Sequence, residues 1–236
     1  FSLDRATRLR WPLVVQLALL LCLISLLLAQ PDIGQTAVVC AIWGAQFFMA
    51  GYNLLWVAGA GLMVISGLVV TIMLKPHALD RIKRFTGDGD ADTYQVQQSL
   101  KAFGEGGWFG KGPGEGVIKA LVPDVHADFV FAAMGEEFGM IACILVVGFF
   151  AIIIIRGLVR LSSQDNMFLV LAGTGLLTQF GVQAAINMFT ALNLMPTKGM
   201  TLPFISYGGS SMLGMALTMG LLLAISRRRP RRDSLV

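Results

Sequence analysis

The chain has 236 residues, of which 56% are apolar and 14% charged, and 18 Lys and Arg against 14 Asp and Glu leave a net charge of +4. Average soluble domains carry roughly 25% charged residues, so this composition excludes an ordinary soluble domain and fits a multi-spanning membrane protein. The arginines fall in short clusters beside apolar runs, where they orient spans rather than bind nucleic acid.

Cys22, Cys40 and Cys143 each lie inside an apolar run without pairing or metal-ligand spacing, and read as inert buried thiols. The chain opens at Phe1 with neither an initiator Met nor a recognisable signal peptide, which reads as a piece of a longer protein.

The first apolar run, Leu13 to Ala29, follows Arg5, Arg8 and Arg10 and is close to the roughly 20 residues that cross a bilayer as a helix. It closes at Gln30-Pro31-Asp32. Asp32, between Pro31 and Ile33-Gly34, marks a turn, and the shorter run from Thr36 to Gly51 completes a tight helical hairpin. A third run, Leu54 to Leu74, stops at Lys75-Pro76.

From Pro76 to Asp128 hydrophobicity collapses. Leu79 to Phe85 interleaves Arg81, Lys83 and Arg84 with apolar residues, which suits either a helix lying on a membrane surface or a solvated charge run. Val96, Leu100 and Phe103 recur at helical spacing beside Gln98 and Ser99. The glycine-rich stretch Gly104 to Gly116 follows no strand and lacks a nucleotide-binding spacing. Its Trp108 and Phe109 read as interfacial anchors on a functional loop.

Asp128, with His126 just before it, sits where this loop turns into the fourth run, Phe129 to Ile155. A carboxylate at that depth is costly unless paired, hydrated or used. Glu136 lies about 12 Å deeper on a regular helix, and Glu137 faces nearly the opposite side, so neither forms a close acid pair with Asp128. With Asp32 they are assigned a structural or relay part. For Glu136 and Glu137 the structural reading is hydrogen bonding to neighbouring helices across the bundle.

The fifth run, Met167 to Leu194, carries Gln179, Gln183, Asn187 and Thr190 as one polar stripe, either helix-packing glue or the wall of a wet cavity. The sixth, Met212 to Ile225, precedes Arg227, Arg228, Arg229, Arg231 and Arg232. With this cluster, Arg5 to Arg10 and Arg156 to Arg160 all inside, six spans put both termini in the cytoplasm, and the loop with Asp128 and residues 195–211 outside. The expected architecture is an all-α polytopic helical bundle. On the outer side, Lys198, two prolines and the Ser206 to Ser211 turn precede a helix start. That arrangement is either a phosphate or pyrophosphate site or an ordinary serine cap with a snorkelling lysine.

Pro196-Thr197-Lys198-Gly199, and Leu202 to Ser211 reading LPFISYGGSS, resemble the signatures of the SEDS family, the shape, elongation, division and sporulation polymerases of bacterial cell walls. The lysine brings the chain closer to the division branch than to the elongation branch. Gly112 to Gly116, Ala29 to Gly34 and Gln98 to Gly104 resemble the same family, in the same order along the chain. One departure is local: His126-Ala127-Asp128-Phe129 stands where the family usually has His-Thr-Asp-Phe.

The resemblance implies that residues 1–236 are the C-terminal part of one SEDS membrane domain, about six of the family's ten spans, with a long extracytoplasmic loop at about 76–128. It implies a peptidoglycan glycosyltransferase that polymerises lipid II and releases undecaprenyl pyrophosphate at the division septum of the cytoplasmic membrane. Asp128 matches the family's essential aspartate. Substrate contacts fall to His126, Lys198, Ser206, Tyr207, Gly208, Gly209, Ser210, Gln98 and Ser99. A divalent cation, Mg or Mn, is left open, since no ligand cluster in the sequence specifies one. The implied partners are a class B penicillin-binding protein, which is the division transpeptidase, and other divisome proteins. A lipid II flippase or a non-catalytic divisome scaffold are the alternatives.

Overall fold

The computed structural model describes residues 2–30, 32–51, 59, 90–118, 125–195 and 199–227, with the backbone alone for residues 2–14, 90–93 and 96. The regular elements among the described residues are α1 (Ser2–Ala29), α2 (Ile33–Met49), α3 (Asp90–Gly106), α4 (Val130–Ser162), α5 (Met167–Ala191) and α6 (Gly209–Ser226). The expected third span and the Leu79 to Phe85 segment lie outside the described residues, Gly59 excepted.

Among the described residues three helices, α4, α5 and α6, are long and apolar enough to cross a membrane, and α1 and α2 add shorter apolar helices. The bundle is therefore all-α and polytopic. The Asp32 turn is a helix cap: its Oδ1 accepts the Gln35 N–H at 2.9 Å, satisfying a donor that the start of α2 leaves unpaired. Of the three thiols, Cys143 is buried, Cys40 is half-buried and Cys22 is exposed, so the expectation of three buried thiols holds for Cys143 alone. A bilayer-facing side chain is solvated by lipid instead of protein.

Helix α5 is the hub, packed against α2, α3, α4 and α6. Its Phe180 is 1% exposed and stacks on Phe150 of α4, with ring centroids 5.1 Å apart. The main core gathers Phe129, Phe131, Phe150, Phe180, Met188, Leu202 and Met215 from both outer loops and three helices. Burying each such side chain is worth about 1.5–3 kcal/mol relative to leaving it in water. A bilayer weakens that drive for outward faces, and Leu145, Phe149 and Leu213 point out accordingly.

Helix α4 has 33 residues and is not continuous: Gly139 adopts φ 77°, ψ −178°, a region open essentially to glycine alone. A helix of this length would measure about 50 Å, well beyond a hydrocarbon core of about 30 Å. The break separates an outer piece, which carries Glu136 and Glu137, from the apolar stretch between Gly139 and Arg156.

The glycine-rich loop after α3 fills the break. In a regular helix the Met140 and Ile141 N–H groups would bond the Glu136 and Glu137 carbonyls. Here Met140 N–H donates to Gly107 O at 2.9 Å and Ile141 N–H to Trp108 O at 3.3 Å. The Lys111 and Gly112 N–H groups donate to the Glu136 and Glu137 carbonyls, each at 3.0 Å. The loop thus restores with its own backbone what the break takes away. Gly110, at φ 78°, passes so close to the Glu137 carbonyl that a Cβ there would overlap it.

The two carboxylates complete the joint. Glu136, fully buried, accepts the Val117 and Ile118 N–H groups on Oε1 at 2.8 and 2.9 Å. Glu137 Oε1 accepts the Gly114 N–H at 3.1 Å. These three bonds run to the loop backbone. The reason is the Gly139 break, which lets the loop approach this face of the helix. Trp108 and Phe109 stand outward at the loop's turn, 65% and 84% exposed.

Candidate active site

Two irregular segments meet at the C-terminal end of α5. One is residues 125–129, leading into α4; the other is residues 199–208, leading into α6. The Tyr207 N–H donates to the His126 carbonyl at 2.9 Å, which joins the segments directly.

Asn187 joins them from below. Its Nδ2 donates to the Asp128 carbonyl at 3.0 Å and to the Met200 carbonyl at 2.5 Å, with the residue 1% exposed. One turn earlier, Gln183 Nε2 donates to the Thr201 carbonyl at 3.2 Å and lies 3.4 Å from its hydroxyl. The polar stripe therefore acts as glue between α5 and the two outer segments. Among the described residues Asn187 Oδ1 and the Thr190 and Thr174 hydroxyls are buried without a hydrogen-bond partner.

Asp128 is half-buried, and its Oδ2 lies 3.6 Å from where a Cβ on Gly199 would stand. Gly199 holds φ 58°, a conformation that glycine adopts without a steric penalty. His126 is exposed, and Tyr207 is 83% exposed. Gly208, Gly209 and Ser210 form the start of α6, where Gly208 is an N-cap without a side-chain hydrogen bond. The helix start thus presents backbone N–H groups and a partial positive charge that no side chain caps among the described residues.

Three of the expected substrate contacts are buried. Ser99 is fully buried and donates its hydroxyl to the Ala191 carbonyl at 2.6 Å, tying α3 to the end of α5. Gln98 beside it is 8% exposed. Ser206, 4% exposed, accepts the Leu202 N–H at 2.8 Å and closes the turn that precedes Tyr207. Each hydroxyl answers a backbone group because the segments are too tightly folded for water to do so. Lys198 lies outside the described residues.

Among the described residues no group of three or more His, Cys, Asp or Glu side chains is gathered to hold a metal ion. Asn187 and Gln183 were not singled out as site residues by sequence. The signal was there in their four-residue spacing toward the outer end of α5, but nothing in one dimension says which loops they hold.

The fold and the site together define a polytopic membrane protein in which a loop-borne carboxylate lies on a segment joined to the one that leads into α6. A family model described as cell cycle protein, the FtsW, RodA and SpoVE group, matches residues 3–231, and the chain belongs to that family. It is 46% identical over 207 residues to a probable peptidoglycan glycosyltransferase FtsW of Caulobacter vibrioides, covering 88% of this chain and 53% of that protein. A protein of the same description from Trichlorobacter lovleyi is 37% identical over 228 residues, covering 94% of this chain and 60% of that one. The chain thus spans little more than half the length of these relatives.

Among solved structures, a chain from a peptidoglycan synthase complex, studied for its coordination of polymerization and crosslinking, superposes with a TM-score of 0.71 at 27% identity. The match covers 91% of this chain and 61% of that one. The rod shape determining protein RodA of Thermus thermophilus, as an aspartate-to-alanine mutant, superposes with a TM-score of 0.60 at 24% identity, over 94% of this chain and 59% of that one, and supports the fold.

Proposed function

We propose that the chain is the C-terminal part of a peptidoglycan glycosyltransferase of the division type, which polymerises lipid II and releases undecaprenyl pyrophosphate. The observation that carries this reading is the half-buried Asp128 carboxylate, set on a joint that Asn187 and the Tyr207–His126 bond hold together.

A sugar hydroxyl is a poor nucleophile. A carboxylate within hydrogen-bond reach takes its proton as the oxygen attacks the anomeric carbon, and the bond from that carbon to the pyrophosphate oxygen breaks. In this reading Asp128, beside Gly199, receives such a hydroxyl. The departing pyrophosphate gathers negative charge, which the uncapped N–H groups of Gly209 and Ser210 and the dipole of α6 offset. Lys198 adds a full positive charge on the basis of its sequence position. His126 and Tyr207, exposed on either side, form the rim that a saccharide meets.

The partner under this reading is a class B penicillin-binding protein, the division transpeptidase, within the divisome at the septum. The structural likeness to a synthase complex that couples polymerization to crosslinking supports that assignment.

The test is single-turnover polymerisation of lipid II by the protein from its complete reading frame, with its transpeptidase present. Asp128→Asn keeps size and fold but cannot accept a proton, so the rate falls by about 10²–10⁴ with substrate affinity little changed. Near-parental polymerisation by that variant removes Asp128 from the chemistry. Lipid II movement across sealed vesicles without polymer would instead establish the flippase reading.

A further inference from the structure

The ends of α4 and α6 remote from Asp128 form a cavity of about 440 Å³, lined by Arg160, Ser163, Gln164, Ser226 and Arg227. The lining contains no carboxylate. Among the described residues neither Arg160 nor Arg227 takes part in an ion pair, although Asp165 is close by in sequence. The Ser163 and Ser226 hydroxyls donate to the carbonyls of Arg160 and Leu223, at 2.9 and 3.2 Å. The guanidinium groups and the Gln164 amide remain as donors.

Helix C-termini attract cations, which accounts for an arginine at the end of each helix. Both side chains are exposed and hydrated, but helix ends alone do not account for two arginines without an ion-pair partner lining one shared cavity, where an anion would gain from both charges. The planar fork of arginine matches phosphate oxygens in a bidentate way that a point charge does not. Next to the cavity, α4 exposes Ile155 and Val159 at 59% and 64%, and α6 exposes Leu223 at 60%. A headgroup in the cavity would therefore have apolar helix surface beside it for its acyl chains.

We propose that this cavity binds a phosphate group, supplied by the headgroup of an anionic phospholipid. The arginine clusters place it at the cytoplasmic face, where basic pockets between spans meet such headgroups. A zwitterionic headgroup carries its own cation and gains less from the two arginines.

The experiment exposes the purified full-length protein in detergent to phosphatidylglycerol, phosphatidylcholine or inorganic phosphate, and counts retained ligand by native mass spectrometry. Phosphatidylglycerol should be retained over phosphatidylcholine by about tenfold to thirtyfold, the preference expected of two basic residues at a membrane surface. Arg160→Gln combined with Arg227→Gln should abolish the preference, and the paired lysine substitutions should keep part of it. Equal retention of the two lipids by the parent overturns the proposal, as does an undiminished preference in the glutamine pair. Inorganic phosphate binding as tightly as phosphatidylglycerol overturns the lipid source and leaves a site for soluble phosphate. If the glutamine pair fails to fold, the parent's lipid preference and the lysine pair still decide the outcome.

Discussion

Asn187, in the buried outer half of α5, donates its side-chain amide to the backbone carbonyl of Asp128 at 3.0 Å and shares that amide with Met200. Asn187 thus holds the backbone of the candidate base from 59 positions later in the chain.

This makes Asn187 a positioning residue. Asn187→Ala leaves two buried carbonyls without their donor, which costs about 1–3 kcal/mol of stability. Asn187→Asp sets a carboxylate against the same carbonyls and should do more harm. Both variants should lower the polymerisation rate more than they lower the unfolding midpoint. Parental rates in the Asp variant would show that the bridge is not used to place Asp128.

Gly139 offers a controlled comparison with Gly148 on the same helix. A Cβ at Gly139 would overlap the Trp108 carbonyl in a φ, ψ region that other residues avoid, whereas a Cβ at Gly148 meets nothing within 4 Å. Gly139→Ala should cost about 2–4 kcal/mol. Gly148→Ala should be neutral or slightly stabilising, by at most about 1 kcal/mol. Denaturant unfolding in detergent checks both, and equal midpoints for the two variants would contradict the break.

The loop joint is tested through Glu136. Glu136→Ala strands the Val117 and Ile118 N–H groups, at a cost of about 1–3 kcal/mol, while Glu136→Gln keeps an acceptor at Oε1. Trypsin should cut after Lys111 faster in the Ala variant than in the Gln variant, because the loop leaves its groove more often. Identical cleavage in the two would mean that the carboxylate does not hold the loop.

Topology is tested by labelling. Glu115 is exposed on the loop and Ser163 is exposed at the far end of α4. A cysteine at 115 should react with an impermeant reagent in intact cells, and one at 163 only after permeabilisation. The reverse pattern would invert the orientation read from the arginine clusters.

The spans were legible because crossing a bilayer depends on a sum of transfer energies along the chain, and that sum is visible in composition and run length. For the same reason α5 and α6 begin and end within a few residues of their apolar runs. The turn at Asp32 was also legible, from chemistry that is local in sequence; that its carboxylate caps α2 was decided by the fold. What only the tertiary structure decided is which distant group satisfies each buried polar atom. Gly139 could have been one more glycine in a long helix, and the loop from Gly107 to Ile118 a free one. Their pairing, like the Asn187 bridge and the burial of Ser99, depends on segments far apart in the chain arriving within hydrogen-bond distance. A buried backbone group must be paired, but its own sequence neighbourhood does not say with what.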